Sequence, residues 1–316
     1  MTVEKDKPEQ PEGTDVYDVA IVGGGPAGLT AALWLSRYLH SVILIDSGDP
    51  RNWETRGING FLGSHGIPSP DLRARGRTDA EKYGALFVAG NVTTVKNANG
   101  ERFTLNLTDD RSFEARRMLL AIGIKDVWPN IPGLSDCYGE TVHVCPDCDG
   151  YETLNCKTVV IGSGRKAVGM ALAIANWTHE IVICTNGEPA SIEAAHLEKL
   201  TALNIPVLES KVTRINSKDG EIKCIDFEDG MQLDCDRLYF AIGQYPADDL
   251  GAQLKCERDD TGLIKVDDRN RTSVLNVFAA GDIAPGPQLA ISAASEGAIA
   301  SIAIHASLVP ESRRLD

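Results

Sequence analysis

The sequence predicts an α/β protein made of two Rossmann-like nucleotide-binding domains of the three-layer ββα type. Two glycine-rich loops each follow a short, β-rich apolar segment, the context in which such domains bind dinucleotides. A strand that ends in Ala-Ile-Gly occurs twice, at residues 121–123 and 241–243, which indicates two related halves. A chain of 316 residues is long enough for two hydrophobic cores.

The first glycine loop has every part of a dinucleotide-binding fingerprint. An apolar strand, the loop, an apolar helix and a second strand that ends at Asp46 follow one another. Gly23 permits the tight turn, Gly25 lets the backbone approach a pyrophosphate, and Gly28 lets the helix pack on the strand. The helix N-terminus then faces the phosphates, and Asp46 accepts hydrogen bonds from a ribose diol.

The other elements follow from periodicity and turn residues. Turn-forming pairs at residues 90–91 and 99–100 predict a β-meander over 87–113, and the proline-rich stretch 128–133 indicates a domain crossing. The predicted strands cover residues 16–22, 41–45, 118–123, 158–161, 180–184, 238–243 and 276–282, and the predicted helices cover 26–39, 166–177 and 288–308.

Cys145 and Cys148 lie between the two glycine loops with the CxxC spacing of a redox pair. A dithiol in this place indicates electron transfer between a bound flavin and a disulfide. Structural zinc modules normally use two such knuckles and this chain has one, so no metal site is expected. His143, two residues before Cys145, has two interpretations: an imidazole that tunes the thiolate or carries a proton, or a structural histidine.

Composition and charge argue against several classes of protein. A hydrophobic content of 43% is ordinary for a soluble chain, and the net charge of −14 argues against nucleic acid and anionic membranes as partners. No apolar run approaches the ~18 residues that span a bilayer. Residues 1–14 are polar, which predicts a disordered tail and no secretory signal. One redox-spaced pair among eight cysteines predicts that the protein is located in the reducing cytoplasm.

Together these motifs resemble the low-molecular-weight thioredoxin reductase family along almost the whole chain. The resemblance is carried by Gly23 to Gly28, Cys145-x-x-Cys148-Asp149-Gly150, Gly162-x-Gly164-x-x-Ala167 and Ala279-Ala280-Gly281-Asp282. It implies an FAD-binding domain over residues 15–125 and 246–316, split by an inserted redox-disulfide and second nucleotide-binding domain over 126–245. It also implies a homodimer whose inserted domain rotates about the two crossings, so that the redox pair alternates between flavin and partner.

The resemblance also assigns roles to site residues. Cys148 is expected to face the flavin, Cys145 to attack the partner's disulfide, and Asp149 to donate and accept the proton. Pro287-Gln288-Leu289 stands where the family usually has Tyr-Arg-Gln, which predicts altered flavin contacts but not loss of FAD. The expected FAD-binding residues are Gly23, Gly25, Pro26, Ala27, Gly28, Asp46, Ser47, Gly123, Gly281, Asp282, Gln288, Leu289 and Ala290.

The second glycine loop departs from the family pattern. The His-Arg-Arg cluster that grips the 2′-phosphate of NADPH would fall on Thr185-Asn186-Gly187, which has no cation. NADPH is therefore not expected, and the pattern favours a branch such as the diflavin-linked disulfide oxidoreductases. The intact turn still favours a pyrophosphate-bearing ligand such as a second FAD, and ferredoxin is the other candidate donor. The expected contacts of the second nucleotide are Gly162, Gly164, Arg165, Lys166, Ala167 and Thr185.

The predicted function is therefore FAD-dependent thiol-disulfide exchange. Electrons pass between flavin and the Cys145–Cys148 pair and then to a thioredoxin-like protein or a small disulfide, in a direction that the sequence does not set. One alternative is a dithiol oxidase that passes electrons to oxygen; fungal enzymes of that kind usually have a histidine where this chain has Asp149. A second alternative is a flavoprotein without turnover that serves as a redox sensor or binding module.

Overall fold

The computed structural model describes residues 16–52 and 55–313, so the tail predicted for residues 1–14 lies outside the described residues. The helices are α1 Pro26–Arg37, α2 Ser69–Glu81, α3 Pro146–Asp149, α4 Gly164–Ile174, α5 Ala194–Ala202, α6 Leu250–Gln253 and α7 Ala290–Leu308. The strands are β1 Tyr17–Val22, β2 Val42–Asp46, β3 Leu86–Ala89, β4 Val92–Ala98, β5 Arg102–Leu107, β6 Ser112–Leu120, β7 Ile124–Asp126, β8 Val142–His143, β9 Thr158–Ile161, β10 Ile181–Cys184, β11 Val207–Leu208, β12 Val212–Lys218, β13 Glu221–Phe227, β14 Gln232–Asp234, β15 Arg237–Phe240, β16 Gln244–Pro246 and β17 Val277–Ala279.

The first sheet has the strand order β3-β2-β1-β6-β5-β4, with β17 paired to β6. β1 pairs in parallel with β2 and with β6. β5 pairs antiparallel with β4 on one side and with β6 on the other. One core lies between the parallel strands and the antiparallel layer, where Ile43 packs with Phe103 and Leu105. A second core lies on the opposite face, where Ile21 packs with residues of α1 and α7. Burial on both faces explains why the parallel strands are almost wholly apolar.

Two features of this half differ from the sequence-based expectation. β3 is parallel to β2 and does not open the meander, which therefore comprises β4, β5 and β6 alone. The cause is α2, which carries the chain across the sheet between β2 and β3 and so returns it in parallel. The sequence pattern did not predict α2 because only Ser69 and Ala80 of this helix are buried, which leaves no apolar period.

Helices α1 and α7 pack closely over the first sheet. A Cβ on Gly297 of α7 would stand 2.2 Å from the carbonyl oxygen of Ala27 in α1. Among the helices of the described residues, α7 is long and apolar enough to cross a membrane. Of its most apolar 18-residue stretch, 33% is buried inside the protein. Core helices of soluble proteins reach the same length and composition, and one face of α7 packs in the core with α1 through Ala293, Ala300, Ala303 and Ile304.

The second sheet repeats this architecture with the parallel order β11-β10-β9-β15-β8 and a separate antiparallel sheet of β12, β13 and β14. One core fills the space between the two sheets, and another lies under α4 and α5. In the chain, these strands all lie between β7 and β16, after which β17 returns to the first sheet. One Rossmann-like unit is thus inserted in the other, as predicted.

The two chain crossings between the halves form a short antiparallel ribbon. β7 pairs with β16, with Asp126 opposite Gln244. Just beyond the ribbon, the Trp128 ring lies 4.6 Å from Tyr138 and 5.4 Å from Phe240, centroid to centroid. The proline-rich stretch that follows therefore enters the inserted half, where the sequence predicts a crossing.

Candidate functional site

One cavity of about 730 Å³ lies between the first glycine loop and the inserted half. Cys145, Cys148 and Asp149 line the same cavity as the first glycine loop. Most of the predicted cofactor-binding residues also line it, namely Gly23, Gly25, Pro26, Ala27, Asp46, Ser47, Gly123, Gly281, Asp282, Gln288, Leu289 and Ala290. The structure therefore brings the proposed nucleotide loop and the proposed redox pair to one place.

The glycine loop owes its shape to close backbone contacts. Gly23 has a φ of +107°, and a Cβ there would stand 2.2 Å from the Ala121 carbonyl oxygen. A Cβ on Gly28 would stand 2.0 Å from the carbonyl oxygen of Gly23, so this residue packs α1 on the loop and does not line the cavity. Gly25 is different, since a Cβ at this residue would meet no protein atom within 4 Å. A ligand can therefore approach the Gly25 backbone directly, which fits a pyrophosphate.

Asp46 is held at the end of β2 by the loop and by an arginine. Its Oδ1 accepts a hydrogen bond from the Gly24 amide at 3.0 Å, and its Oδ2 forms an ion pair with Arg73. Arg73 also donates from Nε to the Gly24 carbonyl at 3.2 Å. Sequence analysis did not single out Arg73, because it lies on the unpredicted helix α2 and belongs to no motif.

A second arginine, Arg51, also lines the cavity and organises part of its wall. Arg51 binds both carboxylate oxygens of Asp126, at 2.7 and 2.8 Å. Its third nitrogen, Nη1, donates to Asp282 Oδ2 at 3.2 Å and to Gln288 Oε1 at 2.9 Å. Burial raises the pKa of Asp282, although Arg51 opposes that rise. Sequence analysis missed Arg51 and Asp126 as site residues, and no local motif marks either one.

These residues fit FAD as a bound group. Gly25 offers an open backbone approach for the pyrophosphate, and Asp46 presents a carboxylate for a ribose diol. Asp282 and Gln288 add polar groups next to Arg51. The same cavity is therefore suited to a long ligand with phosphate and ribose near α1 and a polar ring edge near α7.

The redox pair is present as a Cys145–Cys148 disulfide with a Cα–Cα distance of 5.3 Å. Cys145 precedes α3, and its Sγ accepts a hydrogen bond from the Cys148 amide at 3.1 Å. An amide donor stabilises a thiolate at this sulfur once the disulfide opens. From the other half of the protein, Asn59 Nδ2 donates to the Cys148 carbonyl at 3.0 Å and so fixes the pair against the cavity.

Asp149 lies in a polar cluster behind the disulfide. Its Oδ2 is 3.4 Å from Nδ1 of the buried His143. Its carbonyl accepts a hydrogen bond from the Tyr239 hydroxyl at 2.9 Å, and that hydroxyl lies 2.8 Å from Thr153 Oγ1. The carboxyl group predicted to move the proton is therefore positioned by residues of β8 and β15, which sequence spacing alone does not bring together.

The second glycine loop has the same construction as the first, but its helix start is covered. A Cβ on Gly162 would stand 2.8 Å from the Ala241 carbonyl oxygen, which reproduces the tight turn. However, the Gly164 amide, the first of α4, donates to the Ala190 carbonyl at 2.8 Å. The chain's own backbone therefore occupies a donor that a pyrophosphate would need.

The predicted contacts around this second loop are dispersed. Thr185 is buried, and its hydroxyl bonds the Glu188 carbonyl. Arg165 and Lys166 are exposed, and Lys166 Nζ donates to the Ile242 carbonyl at 3.2 Å. Ala167 lies in the core below the helix. Among the described residues, the site thus combines an intact turn with a segment after β10, Thr185-Asn186-Gly187, that supplies no cation itself, although the stem of Lys211 packs against Gly187.

The remaining thiols are set apart from the redox pair. Cys137, Cys184, Cys235 and Cys256 are buried. Burial raises the pKa of Cys184 to about 12 and also raises the pKa of Cys235, which suppresses thiolate chemistry at both residues. Within the described ranges, no group of three or more His, Cys, Asp or Glu side chains is arranged to hold a metal ion.

Comparison with known proteins agrees with this arrangement. A family profile described as pyridine nucleotide-disulphide oxidoreductase matches residues 17–297. The chain belongs to this family. The thioredoxin reductase of Treponema pallidum is 30% identical over 90% of this chain and 95% of the relative. Thioredoxin reductase tcpT of Claviceps purpurea is also 30% identical, over 85% of this chain and 87% of its own length.

Solved structures extend the likeness to three dimensions. The crystal structure of thioredoxin reductase from Streptococcus pyogenes matches with a TM-score of 0.87 at 25% identity, over 94% of this chain and 99% of that one. Membership of the pyridine nucleotide-disulphide oxidoreductase family, with these relatives, supports a flavin-dependent thiol-disulfide oxidoreductase and implies FAD. The predicted fold and oxidoreductase class are confirmed at this level.

Proposed function

We propose that this protein exchanges electrons between a bound FAD and the Cys145–Cys148 pair, and then between that pair and a thioredoxin-like protein or a small disulfide. The observation that carries the proposal is the shared cavity: the disulfide lines the same space as the dinucleotide loop. Two redox centres must approach each other closely for electron pairs to pass, and this cavity provides that approach.

The proposed cofactor contacts follow the shape of the cavity. The Gly25 backbone would hold the pyrophosphate and Asp46 a ribose diol. Asp282 would hold the ribityl or pyrophosphate region, and the backbone near Gln288 to Ala290 would contact the polar edge of the flavin ring. FAD supplies the two-electron chemistry when bound, while this chain's residues hold and orient it.

The proposed roles of the dithiol follow from nucleophilic exchange. Cys145 attacks the partner, because its Sγ accepts a hydrogen bond from the Cys148 amide that stabilises a thiolate. Cys148 faces the flavin, and Asp149 gives and takes the proton. Access of a protein partner to Cys145 requires rotation of the inserted domain, residues 126–245, against residues 15–125 and 246–316. A homodimer in the cytoplasm remains part of this proposal.

The electron donor is proposed to be something other than NADPH. The end of β10 carries Thr185-Asn186-Gly187 without a cation for the 2′-phosphate. The Ala190 carbonyl on the Gly164 amide also opposes any dinucleotide there, including a second FAD, unless the segment around Ala190 moves. Ferredoxin, which does not need this loop, is therefore favoured over a second FAD.

The proposal is tested by the absorbance of the bound flavin without oxygen. We expect NADPH and NADH to leave the flavin oxidised, whereas dithionite followed by a dithiol or disulfide changes the spectrum. A Cys145→Ser variant should lose only the response to dithiols and disulfides. Fast bleaching by NADPH would overturn the proposed donor, and an unchanged dithiol response in Cys145→Ser would overturn the proposed function.

The covered second loop also favours a second candidate, a dithiol oxidase, because passing electrons from a dithiol to oxygen needs no pyridine nucleotide. In that case the dithiol-reduced flavin reoxidises rapidly in air and produces peroxide in proportion to the dithiol consumed. Slow reoxidation with little peroxide would leave thiol-disulfide exchange as the function.

A further inference from the structure

The cavity wall continues past the carboxylate that is proposed to hold the adenosine ribose. The Gly90 amide donates to the Asp46 carbonyl at 3.0 Å, and the wall runs on from there to Thr93. Gln253 of α6 joins this wall to the segment before α6, because its Nε2 donates to the Thr93 carbonyl at 3.0 Å and to Asp249 Oδ1 at 2.8 Å. In FAD the adenine is bonded to this ribose, so the wall that continues from Asp46 is within its reach.

Asp248 lines the cavity in this segment, and half of its carboxyl group has no protein partner. Its Oδ1 accepts a hydrogen bond from the Leu250 amide at 2.9 Å, whereas no donor among the described residues reaches Oδ2. The Ala247 amide donates to the Gly123 carbonyl at 3.2 Å and so holds the segment beside the end of β6. The Asp248 side chain is partly buried. An unpartnered oxygen on a side chain that lines the cavity is available to a ligand.

A turn-forming role alone does not explain an acid at this position. Asparagine would accept the same hydrogen bond from the Leu250 amide without bringing a charge into a partly buried place. Burial raises the pKa of Asp248 to about 6, so the carboxyl group costs stability above that pH. Residues that cost stability in the unliganded protein are expected at binding sites.

Two single charges act on Asp248 from opposite directions. The exposed Asp249 favours protonation of Asp248, and the charge of Arg258 opposes it. Within the described part of the chain, Arg258 donates from Nη1 to the Gly262 carbonyl at 3.4 Å, and its Nε and Nη2 are buried without partners. No hydrogen bond therefore ties this cation to Asp248. Other charged residues of the cavity wall stand in ion pairs, namely Asp46 with Arg73, Asp49 with Lys125, and Asp282 with Arg51.

We propose that Asp248, as a neutral carboxyl group, recognises the adenine edge of the bound dinucleotide, an inference that rests on the proposed binding of FAD. The Watson–Crick edge of adenine presents an acceptor, N1, and a donor, the N6 amino group. A protonated carboxyl group presents the complementary donor and acceptor on its two oxygens. Because the Leu250 amide donates to Oδ1, the proton stays on Oδ2, which donates to N1 while Oδ1 accepts from N6.

This pairing has a pH dependence opposite to that of a ribose contact. A carboxylate would place a negative oxygen against the N1 lone pair, so the complex holds the Asp248 proton more tightly than the free protein does. FAD affinity should then be constant below about pH 6 and fall above it, by up to about tenfold per pH unit. A ribose hydroxyl donates best to a carboxylate, so a ribose contact would make the affinity rise above pH 6.

The first test titrates the apoprotein with FAD from pH 5.5 to 8.5 and follows the quenching of flavin fluorescence. For the unchanged protein we expect the Kd to rise at least about tenfold between pH 6 and pH 8. Asp248→Asn offers the same donor and acceptor at every pH, so its Kd should change less than about twofold and be at least about fivefold lower than that of the unchanged protein at pH 8. Asp248→Leu, which offers neither group, should bind weakly at every pH.

The second test changes the ligand and a neighbouring charge. The 1,N6-etheno derivative of FAD bridges N1 and N6 of the adenine and keeps the ribose and pyrophosphate, so its affinity for the unchanged protein should not depend on pH. Asp249→Asn is the matched control in the protein, because it removes a negative charge one residue away. It should keep the pH dependence of FAD binding, with the onset at a lower pH, since Asp249 favours protonation of Asp248.

The outcomes separate this inference from the proposed function. FAD binding that does not depend on pH in the unchanged protein, or an etheno derivative that follows the pH profile of FAD, would overturn the adenine contact. An affinity that rises above pH 6 and loses that rise in Asp248→Asn would assign Asp248 to a ribose hydroxyl and would overturn it as well. If the unchanged protein binds no FAD at any pH, the proposed function itself fails. Should Asp248→Leu not fold, the comparison of Asp248→Asn with the etheno derivative still decides the contact.

Discussion

At the scale of single residues, three of the carboxyl groups that line the cavity have different electrostatic settings. Asp46 is paired with Arg73, and Asp282 with Arg51. Asp248 has no such cation partner among the described residues, and its hydrogen bond comes from the Leu250 amide at 2.9 Å. Burial raises the pKa of Asp248 to about 6; the charge of Asp249 adds to this rise, and the Leu250 amide and the charge of Arg258 oppose it.

We predict that Asp248→Asn stabilises the flavin-free protein above pH 6. The folded state holds the Asp248 proton more tightly than the unfolded chain, so stability present below about pH 4 is lost as the pH rises to about 6. A rise from 3.8 to about 6 corresponds to at most about 3 kcal/mol, and partial solvent access reduces the gain to about 1–2 kcal/mol. Asparagine keeps the acceptor for Leu250. Urea unfolding at pH 8 and at pH 4.5 measures the difference.

Asp229→Asn is the matched control for this prediction. Asp229 also accepts a hydrogen bond from the amide two residues on, Met231, but it is exposed and its pKa is lowered, first by that hydrogen bond. It should give no gain at pH 8. An equal gain in both variants, or a gain of Asp248→Asn that is independent of pH, would contradict burial of the charge as the cause.

At the scale of elements, the shape of the cavity depends on how closely α1 and α7 approach. Gly297 of α7 lies against the Ala27 backbone. Gly281, which precedes α7, is also close, because a Cβ added to Gly281 would stand 3.1 Å from the Ala27 Cβ. Ala27 itself lines the cavity. Contacts of this kind leave no room for a methyl group, so the position of the cavity wall is set by glycines outside the recognised loop.

We predict that Gly297→Ala destabilises the protein and weakens FAD binding. The new Cβ would stand 2.2 Å from a backbone oxygen that cannot rotate away, so the helices must separate. Overpacking of this kind costs about 1–3 kcal/mol, which exceeds the ~1 kcal/mol gained in helix propensity. Urea unfolding and a titration of the apoprotein with FAD measure the two effects.

Gly169→Ala provides the control in another helix. Gly169 lies inside α4, and no atom lies within 4 Å of a Cβ built there. The same substitution should therefore stabilise by about 0.5–1 kcal/mol and leave FAD binding unchanged. If Gly297→Ala behaved like Gly169→Ala, the close approach of α1 and α7 would not set the cavity wall.

The same two scales explain what the sequence can and cannot predict. The strand, loop and helix around Gly25, and the acid at Asp46, follow from local pattern and are predicted closely. Arg51, Asn59 and Arg73 lie in segments without motif or apolar period, and they reach the site only through tertiary packing. The hydrogen bond from the Gly164 amide to the Ala190 carbonyl could not be predicted from the sequence, because it joins two backbone atoms and no side-chain pattern marks it.

At the scale of the whole molecule, polar contacts hold the disulfide in the cavity that it shares with the first glycine loop. Asn59 binds the Cys148 carbonyl, and Arg56 forms an ion pair with Glu140 of the inserted half. Arg56 is 63% and Glu140 32% exposed at the side chain, so water and salt weaken this pair. Release of these contacts is what the proposed rotation of the inserted domain requires.

We predict that Arg56→Ala increases the access of solvent reagents to Cys145. Exposed ion pairs contribute about 0.2–1 kcal/mol, so loss of the Arg56–Glu140 pair should raise the open population by up to about fivefold. The measurement is the rate of iodoacetamide alkylation of Cys145 in the dithiol-reduced holoenzyme, located by mass spectrometry. High salt should produce a similar increase in the unchanged protein, because screening removes the same attraction.

Arg77→Ala separates this effect from the loss of any exposed charge pair. Arg77 pairs with Glu81 within α2, four residues along the same helix, and so it does not join the two halves. Its removal should leave the alkylation rate of Cys145 unchanged. Asn59→Ala should raise that rate further than Arg56→Ala, since it removes a less exposed hydrogen bond worth about 1 kcal/mol at the disulfide itself. Equal rates in all three variants would mean that these contacts do not hold the inserted domain against the other half.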